Sequence, residues 1–513
     1  MKNKIKAYEL LEYAKKCSND KKFDNALHYL KKCAKYKEFS KDILFEKAKI
    51  FYELNELDKS CRYFSKYIKN SSDTVLKANA MLILSKIYKI NGRYDKALNL
   101  LDSMNADKNP VMAEWEKERL DISYYKINDF FKVHEFSGDP VFLIKEFQII
   151  KSIRPKMQRD LFFIARISNY LHNYQFTKQL INKYADLTYS NDIFYNNAIL
   201  NEFEIASKEI FLKSKPRGLW IAPGSKCNIS CIMCFSKDIK WELSDKNIKD
   251  IYSYMPYLEN IVWWGGEPTI SEKFYEMIKY ALSYKHIKHT VITNGQYLPQ
   301  KFIDLVINNS IEVAFSIDSV DKNKYEKIRV GASFEKLIGN IEKLRPLADK
   351  KLLKINSVIA DYNSKEINQI LRFAKKMNFR TVSFIPMISK DIKDNMLKSA
   401  DDLNKIDKAL RNDSGVEVNS SIKILSGKKN LKNCMTKGFC HTPWSYATIR
   451  YDGKIVPDNL CTCYRKESFD LTDSNFLQYW NSEYIMNLRK YIVADTACSV
   501  LCPQANILEK IKK

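Results

Sequence analysis

The sequence predicts a multidomain protein in three parts: an α-helical repeat array, a segment of alternating strands and helices, and a small α+β domain carrying cysteines. Three observations carry this. An apolar–acid pair recurs through the first 130 residues with a period close to 35. From Arg217 onward, short β-rich runs alternate with charged helical stretches. Nine of the twelve cysteines lie between Cys227 and Cys502, in two groups that fall in the second and third parts. The boundaries read from these shifts are 1–205, 206–395 and 396–513.

The repeats open at Phe23-Asp24, Leu57-Asp58 and Tyr94-Asp95, with Asn128-Asp129-Phe130-Phe131 as a weaker fourth copy. The aspartates are 34, 37 and 34 residues apart. Leu27 and Leu30, and Leu98 and Leu101, recur at helical spacing and predict the packed seam. This segment is similar to the tetratricopeptide repeats, helix–turn–helix units that bury their apolar faces only by stacking. A less regular helical stretch, from Asp160 to Tyr189, caps the array, with Tyr174-Gln175-Phe176 as a degenerate copy. Such an array either only stabilises the chain or offers its concave face to a peptide or protein.

In the middle part six runs read as strands: Leu219–Ala222, Ile261–Trp264, Thr290–Ile292, Val313–Ile317, Ile355–Ile359 and Val382–Ile385. Strands separated by helices predict a parallel sheet, whose ligands bind at the C-terminal strand ends. After the first strand stands Cys227-x3-Cys231-x2-Cys234. Three thiolates so spaced can hold three irons of a [4Fe–4S] cluster and leave the fourth open, whereas such clusters usually take four cysteines. Structural zinc usually takes four ligands in paired elements, and buried thiols need no ligand at all.

This loop resembles the cluster motif of the radical S-adenosylmethionine (SAM) enzymes. The resemblance extends through Gly265-Gly266-Glu267-Pro268, Thr293-Asn294-Gly295, Ser316-Ile317-Asp318 and Arg329. Met233 stands before the third cysteine, where the family often has an aromatic residue. The resemblance implies that the middle part is a partial (β/α)6 radical SAM barrel. It further implies a cluster on Cys227, Cys231 and Cys234, SAM held by Gly265, Gly266, Glu267, Pro268, Asn294, Ser316 and Arg329, and Asp318 as a catalytic group. Tyr446 is a weaker guess for a proton-handling residue. The chemistry implied is one-electron cleavage of SAM and abstraction of a substrate hydrogen, with a flavodoxin- or ferredoxin-type electron donor.

The third part carries Cys440, the hairpin signal Asp452-Gly453, then Cys461, Cys463, Cys498 and Cys502. It resembles the SPASM or twitch domain of radical SAM enzymes, which holds auxiliary [4Fe–4S] clusters. That implies one auxiliary cluster on Cys440, one of Cys461 and Cys463, Cys498 and Cys502; zinc on the same thiolates is the alternative. A further departure is Asp458, where that domain usually has a cysteine.

The 85 Lys and Arg against 61 Asp and Glu leave a net charge of +24, but the lysines are spread along the chain. A solvated basic surface is expected rather than a nucleic-acid site. Clustered cysteines point to metal ligation in a reducing compartment rather than to disulfides. No stretch approaches transmembrane length, so a soluble cytoplasmic protein is expected. The leading expectation is a radical SAM enzyme acting on a peptide or protein. The alternative is a repeat-based binding protein with structural Fe–S or zinc sites.

Overall fold

The computed structural model describes residues 2–104, 112–128, 140–188, 192–234, 236, 238–360, 362–387, 416–420, 440–457 and 468–494. The chain divides into two compact units, Met1–Asp129 and Phe130–Lys513.

Among the described residues of the first unit, seven α-helices pack as successive hairpins: α1 Lys2–Asn19, α2 Phe23–Cys33, α3 Ser40–Glu53, α4 Leu57–Asn70, α5 Thr74–Ile90, α6 Tyr94–Asp102 and α7 Met112–Asn128. Three of them begin at the apolar residue of the recurring pair: Phe23, Leu57 and Tyr94. Two residues before each start, Lys21, Asn55 and Gly92 take the left-handed conformation, with φ of 57°, 58° and 65°. One tight turn is therefore reused three times. Leu30, Leu98 and Leu101 are buried as the periodicity requires, and Leu27 packs half-buried against the core that holds Leu30. Cys17 and Cys33 lie in the same core, with Cys61 half-buried. Of the fourth copy, Asn128 ends α7; Asp129, Phe130 and Phe131 lie outside the described residues.

Among the described residues of the second unit, the helices α8 Pro140–Ile150, α9 Gln158–Tyr170, α10 Tyr174–Lys183 and α11 Ile193–Ser207 come before the first strand. The turn between α9 and α10 repeats the left-handed geometry at His172, with φ of 59°. After them the chain alternates as β1 Gly218–Ile221, β2 Ser230–Cys231, α12 Asp245–Tyr252, β3 Asn260–Trp263, α13 Glu272–Ala281, β4 Lys288–Thr293, α14 Gln300–Asn308 and β5 Glu312–Ser316. It continues through α15 Lys322–Ile328, β6 Arg329–Val330, α16 Phe334–Lys343, α17 Arg345–Asp349, β7 Leu353–Ile359, α18 Ile367–Lys376 and β8 Thr381–Pro386. Four strands follow: β9 Glu417–Ser420, β10 Tyr446–Ile449, β11 Lys454–Val456 and β12 Phe469–Asp470.

The sheet runs β12-β11-β10-β1-β3-β4-β5-β7-β8-β9, and all neighbours from β10 to β9 are parallel. All six expected strands are present. One face packs on the helices, with Trp263 edge-on to Phe274 of α13. Period-2 alternation sends Trp220, Trp264 and Ser316 to the other face. The hairpin signal is met by β10 and β11, paired Thr448↔Val456 and Ile449↔Ile455. Yet β10 also pairs with β1, Gly218↔Tyr446 through Ile221↔Ile449, so this hairpin belongs to the main sheet.

Buried charge ties α9 and α11 to the N-terminal ends of these strands. Arg217, just before β1, bonds Glu202 at 2.8 Å and Asn201 at 2.9 Å. Asn201 in turn donates to the Trp444 carbonyl at 2.7 Å. Arg166 reaches both Glu259 and the Tyr446 hydroxyl. Tyr446 therefore lies at the opposite end of the sheet from the cysteine loop, which removes it as a proton-handling group.

Nε1 of Trp263 on β3 donates to Nδ1 of His289 on β4 at 3.3 Å, and burial holds this imidazole down at about 4. Unfolded, the same group titrates near 6.5. Between those values the unfolded chain binds a proton that the folded chain refuses, so stability falls as pH drops. The expected loss from pH 6.5 to 4 is about 3 kcal/mol from this residue. A His289→Gln variant should lose that share of the slope in denaturant titrations run across the window; an unchanged slope would reject the assignment.

Candidate active site

The motif residues converge at the C-terminal strand ends because the backbone there is bonded to itself. The chain carries Cys227 between β1 and β2, Cys231 in β2 and Cys234 just after it. Gly266 N donates to the Gly224 carbonyl at 3.1 Å, and Glu267 N to the Lys226 carbonyl at 2.8 Å. A β-carbon on Gly266 would sit 2.1 Å from the Lys226 oxygen, so glycine is required where the two segments cross. The missing side chain at Gly266 thus serves, first, a close approach to the cysteine loop. Pro268 follows, buried, and starts the short turn Pro268–Ile270.

Glu267 is 2% exposed and fully engaged. Its Oε1 accepts from the hydroxyls of Thr269 and Thr293, each at 2.7 Å, and its Oε2 from Asn294 N at 2.7 Å. Burial pushes this carboxyl above its ordinary range, against the pull of those donors. Glu267 therefore fastens the end of β3 to the end of β4. Asn294 is placed by that bond; its Nδ2 lies 2.8 Å from Oδ1 of Asn228 and 3.7 Å from the Cys227 sulfur.

Arg329 arrives by a route that spacing does not show. The two-stranded ribbon β2–β6 pairs Cys231 with Arg329, and the guanidinium lies 3.7 Å from the Cys231 sulfur. Asp318 holds it from behind at 2.7 Å. The other Asp318 oxygen accepts from Val358 N at 2.7 Å, and the residue is 0% exposed. Burial pushes the Asp318 carboxyl up, while Arg329 and the Val358 N–H pull it down; Arg329 stays protonated beside it. With both oxygens occupied and no surface, Asp318 anchors Arg329 instead of facing a substrate. Asp318, expected as a catalytic group, is placed here as the partner of Arg329 and of the β7 backbone. Ser316, two residues earlier, is half-buried beside Asn356.

The chemistry of the donor set suits a cluster. The three thiols lie close enough to influence one another electrostatically, and burial pushes Cys227 up and Cys231 to about 11. Iron binding must therefore displace protons. Arg329 and Asn294 supply N–H groups beside two of the sulfurs, as ligating thiolates require. Among the described residues no three acidic, histidine or cysteine side chains meet closely enough for one metal ion. Three thiolates that each take a different iron need not.

Two residues absent from the sequence reading complete this edge. Tyr362, beyond β7, donates to the Met387 sulfur, beyond β8, at 3.5 Å. Tyr362 lies within electrostatic reach of Asp318, Arg329 and Cys231. Neither stands in a recognisable motif, so only the sheet order could find them. Cys440 is buried, and its neighbour His441 meets the Tyr174 hydroxyl at 3.1 Å. Cys461, Cys463, Cys498 and Cys502 lie outside the described residues.

Residues 221–374 match the radical SAM superfamily. This segment is a radical SAM domain, and the chain is an enzyme of that type, with a [4Fe–4S] cluster and SAM as its cofactors. A cysteine-type anaerobic sulfatase-maturating enzyme from Clostridium novyi is 25% identical over 334 residues, covering 57% of this chain and 86% of that one. An S-adenosylmethionine-dependent nucleotide dehydratase from Psychrobacter lutiphocae is 30% identical over 191 residues, 32% of this chain and 61% of that one. Streptococcus suis SuiB matches in structure with a TM-score of 0.47 at 14% identity, over 66% of this chain and 86% of that one. No helix among the described residues is long and apolar enough to cross a membrane.

Proposed function

We propose that this protein is a peptide- or protein-modifying radical SAM enzyme. The observation that carries the reading is the junction of Cys231 with Arg329 and Asp318 beside the Gly265-Gly266-Glu267-Pro268 segment. Cys227, Cys231 and Cys234 would hold the cluster, which supplies the electron that breaks a carbon–sulfur bond of SAM. Arg329, fixed by Asp318, presents a guanidinium suited to the SAM carboxylate. Backbone groups at Gly265, Gly266 and Pro268, held by Glu267, take the amino group, with Asn294 and Ser316 as polar contacts. Tyr362 and Met387 suit the adenine, a planar apolar ring that packs on an aromatic face and a thioether.

Support for the substrate class comes from the relatives, among them the sulfatase-maturating enzyme and a mycofactocin maturase from Mycolicibacterium smegmatis, 27% identical over 158 residues. The helical hairpins of the first unit, read as tetratricopeptide-like repeats, would hold that peptide or protein. Cys440, one of Cys461 and Cys463, Cys498 and Cys502 would carry an auxiliary [4Fe–4S] cluster, and a flavodoxin or ferredoxin would deliver electrons in the cytoplasm.

Anaerobic reconstitution with iron and sulfide, followed by an assay for 5′-deoxyadenosine from SAM and dithionite, tests the reading. Wild type should form it, and a Cys227/Cys231/Cys234→Ala variant should not. A protein with its full iron complement and no product would point to a binding protein with structural clusters.

A further inference from the structure

The turn of the β10–β11 hairpin, Arg450 to Gly453, lies against both flanks of the cysteine loop. On one flank, Gly453 meets the Trp241 indole so closely that a β-carbon would stand 2.6 Å from its Nε1. The Trp241 carbonyl in turn accepts from Ser225 N at 2.9 Å, two residues before Cys227. On the other flank, the Tyr451 ring stands edge-on to Trp264 at 5.8 Å, and Trp264 edge-on to Trp220 at 5.9 Å. Trp264 immediately precedes Gly265. Its indole N–H is buried without a hydrogen-bond acceptor, the state expected of a wall that faces a ligand. Cys234 is exposed, with its sulfur 3.0 Å from the Ser236 hydroxyl, and Tyr451 lies near enough to feel its thiolate. Arg450 fixes the tyrosine, with its guanidinium 5.7 Å from the ring and 2.9 Å from Asp452.

We infer that Tyr451 is a positioning residue of the radical site, contributed by the C-terminal hairpin, whose ring walls off the iron that Cys234 would hold from water and oxygen. The inference rests on the [4Fe–4S] reading of the loop. It makes residues 446–456 part of the radical SAM active site instead of a separate module. The ring is the shield, and the hydroxyl is held by Arg450.

The test uses full-length, anaerobically reconstituted protein and follows the EPR signal of the reduced cluster that changes on adding SAM, which reports this cluster and not any other. After timed exposure to air, Tyr451→Ala should lose that signal about tenfold faster than wild type, and Tyr451→Phe at close to the wild-type rate. Should Tyr451→Ala fail to fold, Tyr451→Leu, which fills the space without a ring, should show the same acceleration. Loss at the wild-type rate in the alanine or leucine variant overturns the inference. Absence of any SAM-sensitive signal in wild type would instead sink the cluster reading beneath it.

Discussion

Replacing Gly266 with alanine is expected to leave the cysteine loop without its iron. The added methyl would meet the Lys226 carbonyl at 2.1 Å and the Ser225 carbonyl at 2.5 Å, and both are backbone. Neither can swing aside like a side chain, so the segment after β3 must separate from the loop. That separation breaks the bond from Glu267 N to the Lys226 carbonyl and with it the placement of Cys227. Overpacking of this kind costs about 1–3 kcal/mol in stability. The functional loss should be larger, because ligand positions must hold to a fraction of an ångström. After reconstitution the variant should carry markedly less iron per chain and form no 5′-deoxyadenosine. Gly339→Ala is the control. A β-carbon there meets nothing within 4 Å on α16, and the change should leave iron content alone while raising stability slightly. Full iron loading of Gly266→Ala would show that the crossing is not what positions the loop.

Arg329→Met should separate two functions of one ion pair. Asp318 has no exposure, and among the described residues its carboxylate keeps the Val358 N–H once the guanidinium is gone. Breaking a buried pair from one side costs about 3–5 kcal/mol, because it leaves the other charge without compensation. Asp318 will partly escape by taking up a proton, since burial already pushes its carboxyl upward. SAM binding should weaken about 100-fold, or close to 2.7 kcal/mol, if the guanidinium clamps the SAM carboxylate. Adding Asp318→Asn to Arg329→Met removes the stranded carboxylate and should restore much of the stability but none of the SAM affinity. Arg329→Lys keeps the charge without the planar fork and should fall between. Thermal melts and equilibrium SAM binding, measured on all four proteins, decide it. Affinity that returned with stability would assign Arg329 to the fold alone.

The parts of this chain that are local in sequence could be read from it. Helix starts at Phe23, Leu57 and Tyr94 follow from a pattern contained within one turn of chain, and the six strands follow from runs bounded by polar residues. The cysteine loop and the two glycines before Glu267 could be singled out for the same reason: the chemistry sits in adjacent residues. What could not be read was pairing. Nothing in the spacing says that Cys231 lies across from Arg329, 98 residues away, or that Asp318 spends both oxygens holding that arginine and β7. Likewise the Asp452-Gly453 turn announces a hairpin but not its neighbour.

By itself, then, the sequence determined that a helical region precedes the strand–helix region, that three thiols fall within one loop, and that the motif residues follow the C-terminal ends of their strands. Tertiary structure alone decided that Asp318 bonds both Arg329 and the Val358 N–H, that Glu267 is a fastener between two strands, and that β10 joins β1 so that Tyr451 stands against Trp264. The physical reason is the same in each case. Periodicity and turn chemistry are set by neighbouring residues, whereas burial and the competition for a carboxylate's two oxygens depend on what the rest of the chain brings into contact.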